Sequence, residues 1–244
     1  MNESLRNILK QSKRIAFLGG AGISTESGIP DFRSSDGIYK AKKTYGVPPE
    51  ILLSHDFFEN YPELFYDYYK KNLIYPNAEP NRAHLALAKL EREGKLSAVI
   101  TQNIDNLHQR AGSKNVLELH GSVYRNYCTR CRKFHPVETI LASDEIPYCE
   151  CGGIIKPDVV LYGEGLDERV LTESVRVIRN ADTLIVGGTS LAVYPAAGLI
   201  DYFCGKELVL INLSETPRDR EATLCIHERI GEALAFVLED GDSD

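Results

Sequence analysis

Four cysteines in the middle of the chain have a spacing that suits a zinc site. Cys128 and Cys131 are separated by two residues, and seventeen residues later come Cys149 and Cys151, separated by one. Two close thiolate pairs of this kind can supply four sulfurs to one tetrahedral Zn²⁺. Because four thiolates leave no open coordination position, such an ion would stabilise the fold without taking part in chemistry. The alternative, a disulfide framework, suits a secreted protein better.

A glycine-rich segment, residues 19–28 (GGAGISTESG), follows the first apolar run of the chain. Glycines after a strand allow backbone N–H groups to approach a pyrophosphate closely at the start of a helix. The segment departs from the usual dinucleotide pattern, because Thr25 stands in place of the third glycine and no acidic ribose ligand is evident. Taken alone, it also fits a tight strand–helix turn that binds nothing.

Polar residues follow three further apolar runs. They are residues 101–108 (TQNIDNLH), 187–190 (GGTS) and 212–214 (NLS). Burying such groups without hydrogen bonds would cost about 1–3 kcal/mol each, so they indicate a cleft. One such strand end is ordinary turn chemistry, whereas four indicate a row along the ligand-binding edge of a sheet.

Alternating strands and helices would hold these segments in place. Continuous apolar runs rich in β-branched residues predict buried strands at Arg14–Leu18, Ser97–Thr101, Thr183–Val186 and Glu207–Ile211. Amphipathic stretches predict helices at Ala83–Glu93, Glu168–Arg179, Pro195–Phe203 and Gly231–Leu238. Strands separated by helices predict an α/β fold whose parallel sheet is covered on both faces.

Two segments interrupt this alternation. Residues 34–75 are rich in Tyr, Lys and Pro, and residues 121–158 contain the four cysteines and few apolar runs. A segment of about 38 residues could hardly build its own core, so a bound metal there makes physical sense. We predict that both segments form a small second domain, inserted in a larger domain of residues 1–33, 76–120 and 159–244. The cleft between the domains is the expected active site.

The net charge and the apolar runs of the chain indicate which classes of protein are disfavoured and where in the cell the protein is expected. The net charge of −7 argues against a nucleic-acid-binding surface. The apolar run Ile15–Leu18 is too short to span a membrane, and nothing before it resembles a signal peptide. The cytoplasm is therefore the expected location.

Together these segments resemble the sirtuins, a family of NAD-dependent protein deacylases. Besides the cysteines, the resemblance rests on residues 20–34 (GAGISTESGIPDFRS), 101–112 (TQNIDNLHQRAG), 118–122 (ELHGS), 156–164 (KPDVVLYGE), 187–197 (GGTSLAVYPAA) and 211–212 (IN). The departures from the family pattern are small. Gly19 stands where the family often has threonine, and Gly187 stands before the Gly-Thr-Ser triplet where another small residue is usual. The resemblance implies a Rossmann-like parallel-sheet domain with a small zinc-binding domain inserted in it.

The resemblance also implies which residues bind NAD and the substrate. It assigns to the NAD site Gly20, Ala21, Gly22, Thr25, Asp31, Phe32, Arg33, Gln102, Asn103, Ile104, Asp105, His120, Gly188, Thr189, Ser190, Asn212 and Ile226. Phe32 would cover the nicotinamide ribose, Arg33 would approach the phosphates, and Ile226 would contact adenine. Asp105 would accept a hydrogen bond from the nicotinamide carboxamide. Val159, Val160 and Tyr162 would run beside the substrate peptide, which would pair with them as an added strand.

The catalytic roles that the resemblance implies fall to His120 and Asn103. The oxygen of an acetyl-lysine would displace nicotinamide from NAD and form an imidate with ADP-ribose. His120, whose unperturbed pKa lies near 6.5, would then activate the ribose 2′-hydroxyl for attack on the imidate. Asn103 would position the water or the ribose, and His108 would be structural. NAD would be consumed, and the products would be lysine and O-acetyl-ADP-ribose.

A second pattern of the family predicts which acyl groups on lysine the protein would accept. Sirtuins that prefer negatively charged acyl groups carry a Tyr-x-x-Arg pair in the small domain. Here the corresponding residues are Tyr66-Asp67-Tyr68-Tyr69, which include no arginine to bind a succinyl carboxylate. We therefore expect acetyl and other uncharged acyl groups.

Three other functions compete with deacylation. A mono-ADP-ribosyltransferase would use the same NAD site, but His120 and the KPDVVLYGE segment favour deacylation. A dinucleotide-binding module would predict a missing base or an altered QNID segment, and both are intact. An NAD dehydrogenase is disfavoured by the absent third glycine and the absent ribose acid.

Overall fold

A six-stranded parallel sheet forms the centre of the larger lobe. The structure is a computed structural model that describes residues 3–31 and 35–239. Within these residues the strands are β1 (Ile15–Gly19), β2 (Leu96–Thr101), β3 (Val116–Glu118), β4 (Gly121–Cys128), β5 (Phe134–His135), β6 (Ile155–Val159), β7 (Thr183–Gly187), β8 (Glu207–Ile211) and β9 (Leu224–Ile226). The large sheet has the order β3-β2-β1-β7-β8-β9, and all its neighbouring pairs are parallel. This is the Rossmann order, which reverses direction between β1 and β7.

The helices cover both faces of this sheet and build most of the smaller lobe. They are α1 (Glu3–Gln11), α2 (Ser35–Tyr45), α3 (Pro49–Leu52), α4 (His55–Asn60), α5 (Pro62–Asn72), α6 (Arg82–Arg92), α7 (Leu107–Arg110), α8 (Val137–Leu141), α9 (Glu168–Asn180), α10 (Ile230–Ala233) and α11 (Ala235–Glu239). Short 3-10 helices span Ala21–Ile23, Thr25–Ser27, Ala196–Tyr202 and Asp219–Glu221. In the described part of the chain, no helix combines the length and apolar character needed to cross a membrane.

Strand β1 shows why the large sheet is buried on both faces. Its five residues are all buried, and successive side chains point to opposite faces of the sheet. Ile15 and Phe17 pack in a core with α1, α6, α10 and α11. Ala16 and Leu18 pack in a second core with α9 and the 3-10 helix Ala196–Tyr202. A continuous apolar run is therefore what this strand requires.

The smaller lobe has a core of its own. Strands β5-β4-β6 form an antiparallel sheet, and α2 to α5 pack against it. This core contains residues from both inserted segments, among them Tyr66 and Ile155, and the Tyr66 hydroxyl donates to the Ile155 carbonyl. It also includes Val159 and Leu161, which lie just after the second insert in the chain. Each segment thus supplies the apolar surface that the other needs.

The predicted elements match the long strands and helices and differ at short ones. The four predicted strands agree with β1, β2, β7 and β8 within one residue at each end. The edge strands β3 and β9 have three residues each, too few for a recognisable apolar pattern. The predicted helix Gly231–Leu238 is divided into α10 and α11, and Pro195–Phe203 forms a 3-10 helix over Ala196–Tyr202.

Two histidines lie against each other in the larger lobe. His84 on α6 and His108 on α7 are 0% and 1% exposed, and their ring centroids are 4.7 Å apart. His84 Nδ1 accepts a hydrogen bond from the Asn81 N–H, whereas His84 Nε2 and both ring nitrogens of His108 have no hydrogen-bond partner. Burial lowers the pKa of His84 to about 4 and holds the pKa of His108 well below its usual value. Both rings are therefore neutral in the folded protein.

We expect these histidines to make stability fall in mild acid. In the unfolded chain their pKa returns to about 6.5, so the unfolded state binds more protons below that pH. The stabilisation is complete above about pH 6.5 and decreases as the pH falls, by about 2 kcal/mol per histidine at pH 5. Urea unfolding between pH 5 and 7.5 measures this dependence, and His108→Leu should flatten it. His227→Gln, at a half-exposed histidine, is the control; an unchanged slope in His108→Leu would contradict the assignment.

Candidate active site

Four strand ends lie side by side at the carboxyl edge of the large sheet. Gly19 at the end of β1 pairs with Thr101 of β2 on one side and Gly187 of β7 on the other, and Gly187 pairs with Ile211 of β8. The four polar segments found in the sequence follow these residues directly. Because the strand order reverses between β1 and β7, a crevice opens there, and this is where dinucleotides bind in such sheets.

The loops after β1 and β7 touch through their backbones. The Gly22 N–H donates to the Gly188 carbonyl over 2.8 Å. A Cβ on Gly22 would lie 2.7 Å from Gly188 Cα, and Gly188 has a φ of +62°. Neither position can therefore carry a side chain without moving the other loop. This contact brings backbone groups to the crevice, as close approach to a pyrophosphate requires.

One cavity extends from this contact toward β8. Of the predicted NAD residues it is lined by Gly22, Thr25, Asp31, Gly188, Thr189, Ser190 and Asn212. The Thr189 N–H donates to Asn212 Oδ1 over 2.9 Å, while Asn212 Nδ2 is buried and has no hydrogen-bond partner. A buried donor without a partner is costly, and a ribose hydroxyl or phosphate oxygen would satisfy it. The cavity therefore fits the adenosine half of a dinucleotide.

A second cavity lies between the lobes. The predicted residues that line it are Ala21, Gln102, Asn103, Ile104, Asp105, His120, Val159, Val160 and Tyr162. It thus brings the residues predicted for the nicotinamide pocket together with those predicted for the peptide. Sequence reasoning missed other lining residues, including Ile29, Leu73 and Tyr194. These are apolar or aromatic residues in loops and helix ends, with no chemical signature of their own.

A chain of hydrogen bonds connects three polar side chains in this cavity. Asn103 Nδ2 donates to Ser24 Oγ over 2.9 Å, and the Ser24 hydroxyl donates to Asp105 Oδ2 over 2.6 Å. The Leu107 N–H donates to Asp105 Oδ1 over 3.0 Å. Burial raises the pKa of Asp105, and the two donors oppose that rise. Ser24 was not among the predicted residues, although it lies inside the glycine-rich motif.

His120 is held by its ring and by its backbone. Its Nδ1 lies 2.9 Å from the Gln102 carbonyl oxygen, and its own carbonyl accepts from the Val160 N–H over 3.1 Å. Since a carbonyl can only accept, Nδ1 carries the proton in this hydrogen bond. The basic lone pair of the neutral ring is then on Nε2. This tautomer can remove a proton from a group in the cleft.

The segment predicted to pair with a peptide is already hydrogen-bonded within the chain. The Val160 N–H donates to His120, and the Tyr162 N–H donates to the Leu53 carbonyl over 2.9 Å. The Tyr162 carbonyl accepts from the His55 N–H over 2.9 Å. These hydrogen bonds occupy one edge of the segment, so a peptide strand would have to pair along its other edge. The pairing of Val159, Val160 and Tyr162 with a substrate peptide stays a prediction.

Two predicted residues, Gly20 and Ile226, lie elsewhere than the cavity walls. Gly20 is buried beneath the first cavity, where a Cβ would be 2.8 Å from Thr189 Cβ. Ile226 is 4% exposed, packs in the core, and accepts a hydrogen bond from the Asn212 N–H. Glu228, Arg229 and Ile230, which follow it in the chain, line the first cavity, and the contact of Ile226 with adenine stays a prediction. Phe32 and Arg33 lie outside the residues that the structure describes.

The four predicted metal ligands come together in the smaller lobe. Their sulfurs all lie within 4.8 Å of one another, with Cys128 and Cys151 3.4 Å apart and Cys131 and Cys149 3.7 Å apart. Tetrahedral ligands at the usual Zn–S distance of about 2.3 Å are about 3.8 Å apart. The N–H groups of Arg130 and Cys131 donate to Cys128 Sγ, which suits a thiolate ligand. The cluster therefore fits one structural Zn²⁺.

Replacing a zinc ligand should open the smaller lobe. In Cys149→Ser we expect bound zinc to fall from about one per chain to near zero and Tm to drop by about 10 °C. Atomic absorption and thermal unfolding measure the two quantities. Cys204→Ser is the matched control, because Cys204 is exposed and lies outside the cluster. Full zinc content with an unchanged Tm would contradict this role.

Comparison with known proteins adds independent findings. The model of the Sir2 family matches residues 20–195. A curated NAD-dependent protein deacetylase from Clostridium perfringens is 59% identical over 237 residues, which are 96% of this chain and 97% of that protein.

Solved structures agree in fold and sequence. A Sir2 variant with a deacetylated p53 peptide and 3′-O-acetyl ADP-ribose has a TM-score of 0.88 and 45% identity, covering 98% of both chains. A Sir2 bound to an acetylated peptide has a TM-score of 0.85 and 43% identity, covering 99% of both chains. The strand order, the cysteine cluster and these likenesses agree, and the chain belongs to the Sir2 family.

Proposed function

We propose that this chain is an NAD-dependent protein lysine deacetylase in which His120 is the general base. It transfers the acetyl group of an acetyl-lysine to ADP-ribose and releases nicotinamide. The observation that carries the proposal is the second cavity, which joins His120, the QNID segment and Val159–Tyr162 in one space. The relative named NAD-dependent protein deacetylase and the Sir2 structures with acetylated peptide and acetyl ADP-ribose support the same activity.

In this proposal NAD occupies both cavities. Gly22, Gly188, Thr189 and Asn212 bind its phosphates and adenosine ribose, which is supported by the buried Asn212 Nδ2. When bound, NAD supplies an electrophilic ribose carbon with nicotinamide as an excellent leaving group. The protein contributes by holding the acetyl-lysine oxygen near that carbon and by excluding water.

His120 and Asn103 divide the proton transfer and the positioning. His120 Nε2 accepts a proton from the ribose hydroxyl, because the Gln102 carbonyl keeps the other proton on Nδ1. Asn103 donates through Nδ2 to Ser24, which leaves its amide oxygen to accept from a ribose hydroxyl or a water. Asp105 accepts from the nicotinamide carboxamide, in addition to its hydrogen bonds with Ser24 and Leu107.

The acyl pocket in this proposal takes uncharged groups. Among the described residues that line the second cavity, the carboxylates are Asp105 and Glu164, and none is a lysine or an arginine. Tyr66 and Tyr69 are fully buried in the core of the smaller lobe, so they offer no pair of side chains to an acyl carboxylate. A succinyl group would enter without a cationic partner, which is costly for a buried charge.

We also propose the lobes as two domains, with residues 34–75 and 121–158 forming the zinc-binding one. The separate core that the two segments share supports this division.

We further propose a cytoplasmic location. The sulfurs of Cys128 and Cys151 are 3.4 Å apart and those of Cys131 and Cys149 are 3.7 Å apart, longer than the about 2.05 Å of a disulfide. Cysteines that form no disulfide suit a reducing compartment.

The first test is nicotinamide release from NAD with and without an acetyl-lysine peptide. We expect release to require the peptide and to yield one O-acetyl-ADP-ribose per lysine freed, as followed by mass spectrometry. Nicotinamide release with retention of the acetyl group would favour an ADP-ribosyltransferase instead. An absence of release with every peptide would contradict the proposal.

Removing the base should abolish turnover without abolishing cofactor binding. In His120→Ala we expect kcat to fall by about 10²–10⁴, the usual contribution of a general base. The dissociation constant for NAD, measured by calorimetry, should change little because the adenosine cavity is intact. Arg176→Met, at an exposed residue of α9 that lines neither cavity, is the control. Retention of most activity by His120→Ala would remove His120 from the proposed role.

Acyl preference gives a separate check. We expect kcat/KM for acetyl-lysine to exceed that for succinyl-lysine by at least about 100-fold, since none of the described residues that line the cavity is a lysine or an arginine to pair with the buried carboxylate. The same peptide with each acyl group, assayed at saturating NAD, measures the ratio. Comparable kcat/KM values for the two substrates would contradict the proposal that the pocket takes uncharged acyl groups.

A further inference from the structure

Arg125 on β4 connects carboxylates from two other strands. Its Nε donates to Asp158 Oδ2 on β6 over 2.8 Å, and its Nη1 donates to Glu118 Oε2 on β3 over 2.6 Å. Gln109 Nε2 on α7 donates to the other Glu118 oxygen over 2.8 Å. The Glu118 side chain is only 9% exposed, so it needs these donors. The guanidinium therefore joins the larger lobe to the smaller one.

This ion pair lies where the β4–β6 ladder is interrupted. Gly121 pairs with Val159 and Ser122 with Asp158, but the next pair along β4 is Asn126 with Pro157. Residues 123–125 thus form a bulge without partners on β6. Arg125 bridges the interruption with its side chain. Ladder hydrogen bonds to β6 do not stabilise this bulge. The contact of the Arg125 side chain with Asp158 therefore contributes more to the conformation of the bulge than a side chain in a regular ladder would.

The bulge and its neighbours contact the proposed reaction site. The Val123 N–H donates to the Ile104 carbonyl over 3.0 Å, and Ile104 lines the second cavity. Glu118 is two residues before His120, whose carbonyl accepts from the Val160 N–H. Asp158 is two residues before Val160. Both carboxylates bound by Arg125 are thus close in the chain to the groups that meet in the cleft.

The backbones of β4 and β6 are closely packed where Gly121 lies against Asp158. Gly121 has a φ of +75°, and a Cβ there would lie 1.9 Å from the Asp158 carbonyl oxygen. The two segments therefore touch backbone to backbone, and a small shift of one must move the other. Displacements of about 1 Å at reacting groups can cost about 100-fold in rate.

We propose that Arg125 is a positioning residue for the deacetylation reaction. By binding Glu118 and Asp158 together, it holds the bulge against Ile104 and keeps His120 in register with Val160. The inference rests on the proposed function, but its structural part can be measured without any activity. It assigns no contact between Arg125 and the substrate or NAD.

Two substitutions at Arg125 test the geometry of this contact. Arg125→Met keeps the apolar length and removes the charge and donors, whereas Arg125→Lys keeps the charge but not the two-pronged donor. We expect Arg125→Met to lower kcat by about 10-fold to 100-fold, with KM for NAD within about threefold and zinc content unchanged. Arg125→Lys should be intermediate. The matched control is Arg176→Met, which removes an exposed arginine–glutamate pair on α9.

A double-mutant cycle separates positioning from general loss of stability. Glu118→Gln should lower kcat in the same way, and adding it to Arg125→Met should lower kcat little further. Assays run well below the Tm of every variant remove the effect of unfolding. If kcat of Arg125→Met stays within about twofold of the unchanged protein, or the two effects multiply, the positioning role is overturned.

Hydrogen exchange gives the readout that does not depend on activity. In Arg125→Met the amide hydrogens of Val123 and Val160 should exchange faster, because they bond to Ile104 and His120 across the junction. Wild-type exchange rates at both would overturn the inference, even with an active enzyme. Absence of deacetylation in the unchanged protein would instead reject the proposed function. If Arg125→Met does not fold, the same measurements of kcat and of amide exchange at Val123 and Val160 are made on Arg125→Lys and Glu118→Gln.

Discussion

The backbone contact between the loops after β1 and β7 sets the geometry of the whole cleft. Gly22 and Gly188 meet at a distance that excludes any Cβ, at the point where the strand order reverses. This contact joins the loops after β1 and β7, and Ala21 and Gly22 beside it line the second and the first cavity. The polar residues after β2 and β8 can then face the same ligand from either side. Larger residues at either glycine would move a loop that carries several of the groups proposed to bind NAD.

The smaller lobe depends on a different constraint, since neither of its segments has enough apolar surface alone. The helical segment supplies aromatic residues such as Tyr66 and Phe65, and the cysteine segment supplies β4 and β6. The sulfur cluster closes the far end of the latter. A metal there compensates for the small core of a short segment. The end of β6 nearer the cleft then contributes Val159 to both the core and the cavity wall.

His120 lies where the two lobes meet, and both contribute to its position. The Gln102 carbonyl from the larger lobe sets its tautomer, and Val160 from the edge of the smaller lobe holds its backbone. The general base that we propose His120 to be would therefore depend on the relation between the lobes as well as on its own surroundings. This dependence gives the Arg125 ion pairs a physical reason to matter for rate, since they join the lobes beside that junction.

The sequence by itself determined the features that depend on neighbouring residues. Apolar runs predicted β1, β2, β7 and β8, close cysteine pairs predicted the sulfur cluster, and local motifs marked residues 102–105 and His120. Only the tertiary structure decided that Ser24 links Asn103 to Asp105 and that Ile226 is buried. The pairing of Arg125 with Asp158 spans 33 residues of chain, and no local pattern contains such a contact. Its geometry arises from how packed elements meet, which periodicity and spacing along the chain do not encode.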